Sequence, residues 1–141
     1  MFIRHRFHPK VNVSYEVGRF IMVEICYEGQ VLWLVGVYAS NVSQERKLLW
    51  RSLNSVLDNN IPRLWMGDFN VCCETDQSTS IHSIMDVVEA QEWGDFETEV
   101  MLKDVGNWIK GDEPSYTFQS AQYKDTWSRL DVMYVMHTVG F

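Results

Sequence analysis

From Gly18 onward, "GRFIMVEICYEGQVLWLVGVYAS" sets Phe20, Met22, Glu24 and Cys26 in alternation with Ile21, Val23, Ile25 and Tyr27, and then runs almost wholly apolar from Val31 to Tyr38. Two such runs, rich in β-branched and aromatic residues and separated by Glu28-Gly29-Gln30, predict two strands joined by a turn. The second has no polar face, so it is expected to be central and covered on both sides. Residues 11–17, "VNVSYEV", alternate too and predict a strand ahead of them.

The period then changes. In "SQERKLLWRSLNSVLD", residues 43–58, Leu49, Leu53, Val56 and Leu57 share one helical face, with Arg46, Lys47 and Arg51 largely elsewhere and Asn41 or Ser43 able to cap the start. Asn59-Asn60-Ile61-Pro62 stops this helix, and Leu64 to Val71 reads as the next buried strand. Strand, helix, strand is a crossover unit and predicts a layered α/β fold. Beyond it, "ETDQSTS" reads as a loop and residues 81–103 as helix with a break near Gly94. "YTFQS" (116–120) and "RLDVMYVM" (129–136) read as a last pair of strands around a turn at Lys124-Asp125.

Composition narrows the class. The chain has 141 residues, 46% of them hydrophobic, with 6 Trp, 6 Tyr and 7 Phe, which fits one globular domain over residues 1–141 and excludes a disordered segment. Cys26, Cys72 and Cys73 form no disulfide framework, so a reduced, intracellular compartment is expected, the nucleus included. No stretch has the length and apolarity of a membrane span, and no secretory signal is evident. The net charge of −7 opposes non-specific binding of polyanions. That charge is local: residues 74–113 carry eleven acids against Lys103 and Lys110, leaving the rest slightly basic and open to a phosphate-bearing ligand. The acidic run itself reads as a solvated helical face.

Polar residues cluster where strands end: Tyr38 with Asn41, Asp68 with Asn70 in "RLWMGDFNVCCE", and Ser128 to Asp131. Strand ends are where an α/β layer meets its ligands, and a carboxylate at the mouth of a buried strand is costly unless something compensates it. Together these residues offer a carboxylate for a divalent ion or a water, an amide that donates and accepts, and a phenol that donates to an anionic oxygen. Tyr38, Asn41, Asp68, Asn70 and Asp131 are therefore expected around one pocket. Taken alone, Asp68 and Asn70 read first as a strand-end turn in which both polar side chains cap backbone groups, and it is the other motifs in register that favour the functional role.

The motifs "VYASN", "GDFN" and "SRLD", in that order and with those elements between them, resemble the endonuclease/exonuclease/phosphatase superfamily, and most closely the endonuclease domain of LINE-type (non-LTR) retrotransposons. The resemblance covers residues 18–136. It implies a partial four-layer α/β sandwich that hydrolyses phosphodiesters with Mg²⁺ or Mn²⁺, with nucleic acid as the ancestral substrate. Carried onto this chain, it makes Asp68 the residue that orients or deprotonates the attacking water and a partial metal shell. Asn70 would hold that water or a phosphate oxygen, Tyr38 and Asn41 would bond the scissile phosphate, Arg129 would add a phosphate contact, and Asp131 would orient a histidine.

The chain also departs from that pattern. Nothing before residue 18 supplies the family's early Asn or its metal-binding Glu in a Q-E-x-K-like stretch, no late D-H motif precedes Phe141, and Ser40 stands where the family has proline. The expectation is the middle of the domain, holding metal weakly if at all, with activity reduced or lost. The alternative is a non-catalytic scaffold kept for binding protein or nucleic acid. Glu16 and Glu24 are poor replacement ligands, since alternate strand glutamates face solvent. His137 stands six residues beyond Asp131 on one strand, roughly 20 Å away, and does not serve as its histidine. Cys72, Cys73 and His82 have no zinc spacing, and Ser14, Ser78 and Ser128 no hydrolase context.

Overall fold

A computed structural model of the chain describes residues 10–15, 19–56, 60–71, 87–110, 116–122 and 125–136. The alternating run opens it as an antiparallel meander of β1 (Lys10–Tyr15), β2 (Phe20–Tyr27) and β3 (Gln30–Tyr38). Glu28 and Gly29, at φ 50° and 80°, form the two-residue turn between β2 and β3, a left-handed pair that matches the twist of a tight hairpin.

Helix α1 (Ser43–Val56) then carries the chain over to β4 (Arg63–Asp68), which lies parallel to β3 with Val35 opposite Trp65. The expected crossover is present. Strand β4 stops at Asp68, short of the predicted Val71: the Phe69 N–H still meets the Leu130 carbonyl, the next partner in the register of Asp68 with Asp131, but Asn70 then turns left-handed at φ 49° and ends the extended run.

Helix α2 (Val87–Glu99) runs unbroken through Gly94, and strand β5 (Leu102–Asp104) occupies what the sequence reads as its last turn. A lone glycine lowers helix stability by only about 1 kcal/mol, and Trp93 and Phe96, both buried, hold α2 across it. Helix α3 (Val105–Lys110), the short strands β6 (Phe118–Gln119) and β7 (Trp127–Ser128), and β8 (Asp131–Met136) complete the described chain. The last pairing differs from expectation. Strand β6 pairs with β7, not with β8, while β8 is inserted between β4 and β5.

The large sheet has the order β1-β2-β3-β4-β8-β5. Phe20 and Met22 from β2, Val35 and Val37 from β3, Trp65 from β4, and Val132 and Tyr134 from β8 form one continuous core with Leu49, Trp50 and Leu53 of α1 and Trp93 and Phe96 of α2. The fold is thus mixed α/β, as expected. Of the four layers the resemblance implies, the described residues hold a helical layer on one face of this sheet, and β6 and β7 form a separate two-stranded ribbon. The opposite face is apolar as well: Val23 and Ile25 are buried, Ile21, Leu34, Leu64 and Met66 half-buried, and Met133 exposed. No described helix is long and apolar enough to cross a membrane.

Candidate functional site

Register places the predicted residues before any side chain is considered. Tyr38 is the last residue of β3 and lies opposite Asp68, the last of β4; Asp68 in turn lies opposite Asp131, the first of β8. The three form one row across the sheet end. Close approach of β3 and β4 makes that row possible, because Gly67 adopts φ 140° and a Cβ there would drive into the Val37 carbonyl oxygen.

Phe69 pins the turn that follows. Fully buried, its ring meets Tyr134 at 5.0 Å, Trp93 at 5.8 Å and Trp50 at 6.1 Å, so the residues on either side face outward. Asp68 Oδ1 accepts the Asn70 N–H at 3.0 Å, and Asn70 donates its side-chain amide to the Ala39 carbonyl at 2.9 Å. Ala39 N–H returns to the Asp68 carbonyl at 2.7 Å. Both polar side chains of "GDFN" therefore do cap backbone groups. They also fasten the β3 and β4 loops together, and they leave Asp68 Oδ2 and Asn70 Oδ1 without a hydrogen bond among the described residues.

Burial raises the Asp68 carboxyl above its ordinary range, the facing Asp131 charge adds to the rise, and the Asn70 N–H opposes both. A carboxylate held in that way is a stronger proton acceptor for a water than a free one. Asp131 is exposed, with its backbone N–H bonded to Thr117 Oγ1 at 3.0 Å, as is the Leu130 N–H. No group of three or more His, Cys, Asp or Glu able to hold a metal occurs among the described residues. The Asp68–Asp131 pair fits a hydrated Mg²⁺ all the same, since that ion is commonly held by one or two carboxylates with waters and substrate phosphate completing its octahedron.

Arginines behind the row differ in what they are free to do. Arg46, predicted to lie off the buried face of α1, is buried on it, because it pairs with Glu89 of α2 and donates to the Ser40 carbonyl at 2.9 Å. Glu89 is likewise an exception to the solvated acidic face. Ser40, in the place of the family's proline, accepts the Val42 N–H on its hydroxyl at 3.1 Å. Arg129 is buried against Asp104 at 2.7 Å, where Asp104 also accepts the Gly106 N–H, and a Cβ on Gly106 would collide with the guanidinium. Arg129 thus stands two residues from Asp131 with its charge engaged.

The structure brings Tyr38, Asp68, Asn70 and Asp131 together, and sets Asn41, which is exposed, on the adjoining Ala39–Val42 loop. Glu24 lies in the Trp33 row, roughly 16 Å down the ladder from Tyr38, and cannot serve as a ligand there. Glu16, Cys72, Cys73, His82 and His137 lie outside the described residues. Sequence reading missed Arg46, Glu89 and Thr117, and a charged residue on an apolar helical face was the available signal for the first two.

No protein-family model matches the chain, and no curated protein does. Among solved structures, it resembles an AP endonuclease from Archaeoglobus fulgidus at 18% identity and a TM-score of 0.68, over 92% of this chain and 59% of that one. It also resembles the endonuclease domain of TRAS1, a telomere-specific non-LTR retrotransposon, at 18% identity and a TM-score of 0.61, over 95% and 57%. A third likeness is D. rerio TDP2 complexed with single strand DNA product, at 16% identity and a TM-score of 0.55, over 85% and 47%. The chain spans less than two thirds of each of these structures. The likeness establishes the fold, which the chain shares with these structures over most of its length.

Proposed function

We propose that the chain carries a nucleic-acid phosphodiesterase centre of the endonuclease/exonuclease/phosphatase type at the Tyr38–Asp68–Asp131 strand ends, with Mg²⁺ or Mn²⁺ as its metal. The observation that carries this reading is the register: two carboxylates face each other across β4 and β8 with a phenol beside them. Like charges directly opposite on a sheet are destabilising, a cost that a bound cation relieves.

Asp68, with its raised proton affinity, takes a proton from the attacking water as the water's oxygen bonds to phosphorus and the bridging P–O bond on the opposite side breaks, the departing alkoxide taking its proton from solvent. The Asn70 amide oxygen, fixed by the bond from Nδ2 to Ala39, orients that water. Tyr38 donates its hydroxyl, and Asn41 its amide, to non-bridging oxygens on which charge accumulates. Asp68 and Asp131 would hold the Mg²⁺, which would supply Lewis-acid stabilisation of the same charge. The expected activity is low, because two carboxylates make a thin shell, and affinity for Mg²⁺ should be millimolar or weaker.

Nicking of supercoiled plasmid in Mg²⁺, wild type beside Asp68→Ala, tests the proposal. Slow nicking that falls about 100-fold or more in the variant is expected. Equal traces from both would overturn hydrolysis and leave the second reading, a binding scaffold, which the two backbone-capping bonds of Asp68 and Asn70 favour.

A further inference from the structure

Two acids and a phenol cannot hold a phosphodiester unaided, since every group in the row is negative or neutral. A cation is needed nearby, and among the described residues three arginines surround the strand ends. Arg46 and Arg129 are locked in pairs whose side chains are 9% and 3%, and 9% and 12%, exposed. Removing a cation from a buried pair strands its partner carboxylate away from water, so neither can be lent to a ligand.

Arg19 differs from both. Its guanidinium is paired with Glu45 at 2.9 Å, with the two side chains 34% and 53% exposed, and its Cζ lies 5.8 Å from the centre of the Tyr38 ring. Its own carbonyl accepts the Tyr38 N–H at 2.8 Å, which ties its backbone to the residue at the head of the row. The pair rims a hollow of about 300 Å³ lined also by Ser40, Leu48 and Leu49. Solvent-exposed pairs of this kind are readily exchanged, and a guanidinium binds phosphate in the same two-point manner as carboxylate.

From this geometry we infer that Arg19 is a phosphate-binding residue of the strand-end site, parked on the Tyr38 ring by Glu45 and passed to a backbone phosphate when nucleic acid binds. The inference rests on the proposed nucleic-acid reading and deepens it. Glu45 then acts as a competitor for the guanidinium: it holds the cation in place while the site is empty and is displaced by the ligand. The stacked arrangement also favours arginine over lysine, because only a planar cation keeps ring contact while both edges bond oxygens.

Fluorescence anisotropy with a labelled DNA duplex in EDTA, where no metal-dependent cleavage proceeds, tests this across salt concentrations. Arg19→Ala should weaken binding about 5- to 20-fold and lower the slope of log affinity against log salt by about 0.9, the counterion released by one phosphate contact. Arg19→Lys should fall between the two. Glu45→Gln should tighten binding about 2- to 5-fold, a gain that misfolding cannot imitate. Arg51→Ala serves as control, since Arg51 is 65% exposed in a similar pair with Glu92 on another part of α1. If Arg19→Ala and Arg51→Ala behave alike, or Glu45→Gln is neutral, the role of Arg19 is overturned while the nucleic-acid reading stands. No binding by the wild type would overturn the nucleic-acid reading itself.

Discussion

Asp68 and Asp131 stand directly opposite each other across the antiparallel β4–β8 pair, and Asp68 is the half-buried member. Its folded-state carboxyl binds protons more tightly than the unfolded one, chiefly through burial, so the folded chain holds the extra proton between the two values. Stability therefore falls as pH rises through that window. Asp68→Asn removes the charge and keeps an oxygen for the Asn70 N–H. The variant should melt roughly 1–4 °C above wild type at pH 7, and the difference should close below about pH 4. An advantage that persists at pH 3 would place its origin elsewhere.

Gly67 and Gly94 should respond oppositely to alanine. At Gly67 a Cβ meets the Val37 carbonyl oxygen and the backbone is at φ 140°, so Gly67→Ala must part β3 from β4 at a cost of about 3–5 kcal/mol. At Gly94 a Cβ meets nothing within 4 Å, and Gly94→Ala should stabilise α2 by about 0.5–1 kcal/mol. Urea midpoints for the two variants check both. Similar shifts of the same sign would contradict the packing described.

The Arg46–Glu89 pair calls for a double-mutant cycle. Glu89→Leu leaves a buried guanidinium unpaired and should cost about 3–5 kcal/mol, as should Arg46→Met for the carboxylate. Arg46→Met with Glu89→Leu should cost less than either single change. Additive losses would show that the two residues act through separate contacts.

Asn70 combines a left-handed backbone with a side-chain tie to Ala39. Asn70→Gly keeps the first and loses the second; Asn70→Ala loses both. Loss of about 1 kcal/mol in the glycine variant and about 2 in the alanine variant is expected from denaturation midpoints. Hydrogen exchange should show the Ala39–Val42 loop opening faster in each, and unchanged exchange there would deny the tie its role.

Local pattern decided much of this protein. The alternation through Phe20–Tyr27, the apolar run to Tyr38 and the change of period at Ser43 are carried by neighbouring residues, so β2, β3 and α1 were legible without any partner. "GDFN" at a strand mouth likewise marked the site, because a carboxylate placed there conflicts with the burial around it.

Pairing over long range could not be read in the same way. The insertion of β8 between β4 and β5, and the pairing of β6 with β7, depend on which edges meet in space, and the short strands carry too few residues to specify that choice by their own pattern. Nor could the sequence say which arginine stays open to a ligand. The apolar face of α1 marked Arg46 for burial, but only the tertiary structure gives it Glu89 as a partner, buries Arg129 against Asp104 and leaves Arg19 more exposed beside Tyr38. A charge's availability depends on the solvent and partners around it, and those are settled only when distant segments pack.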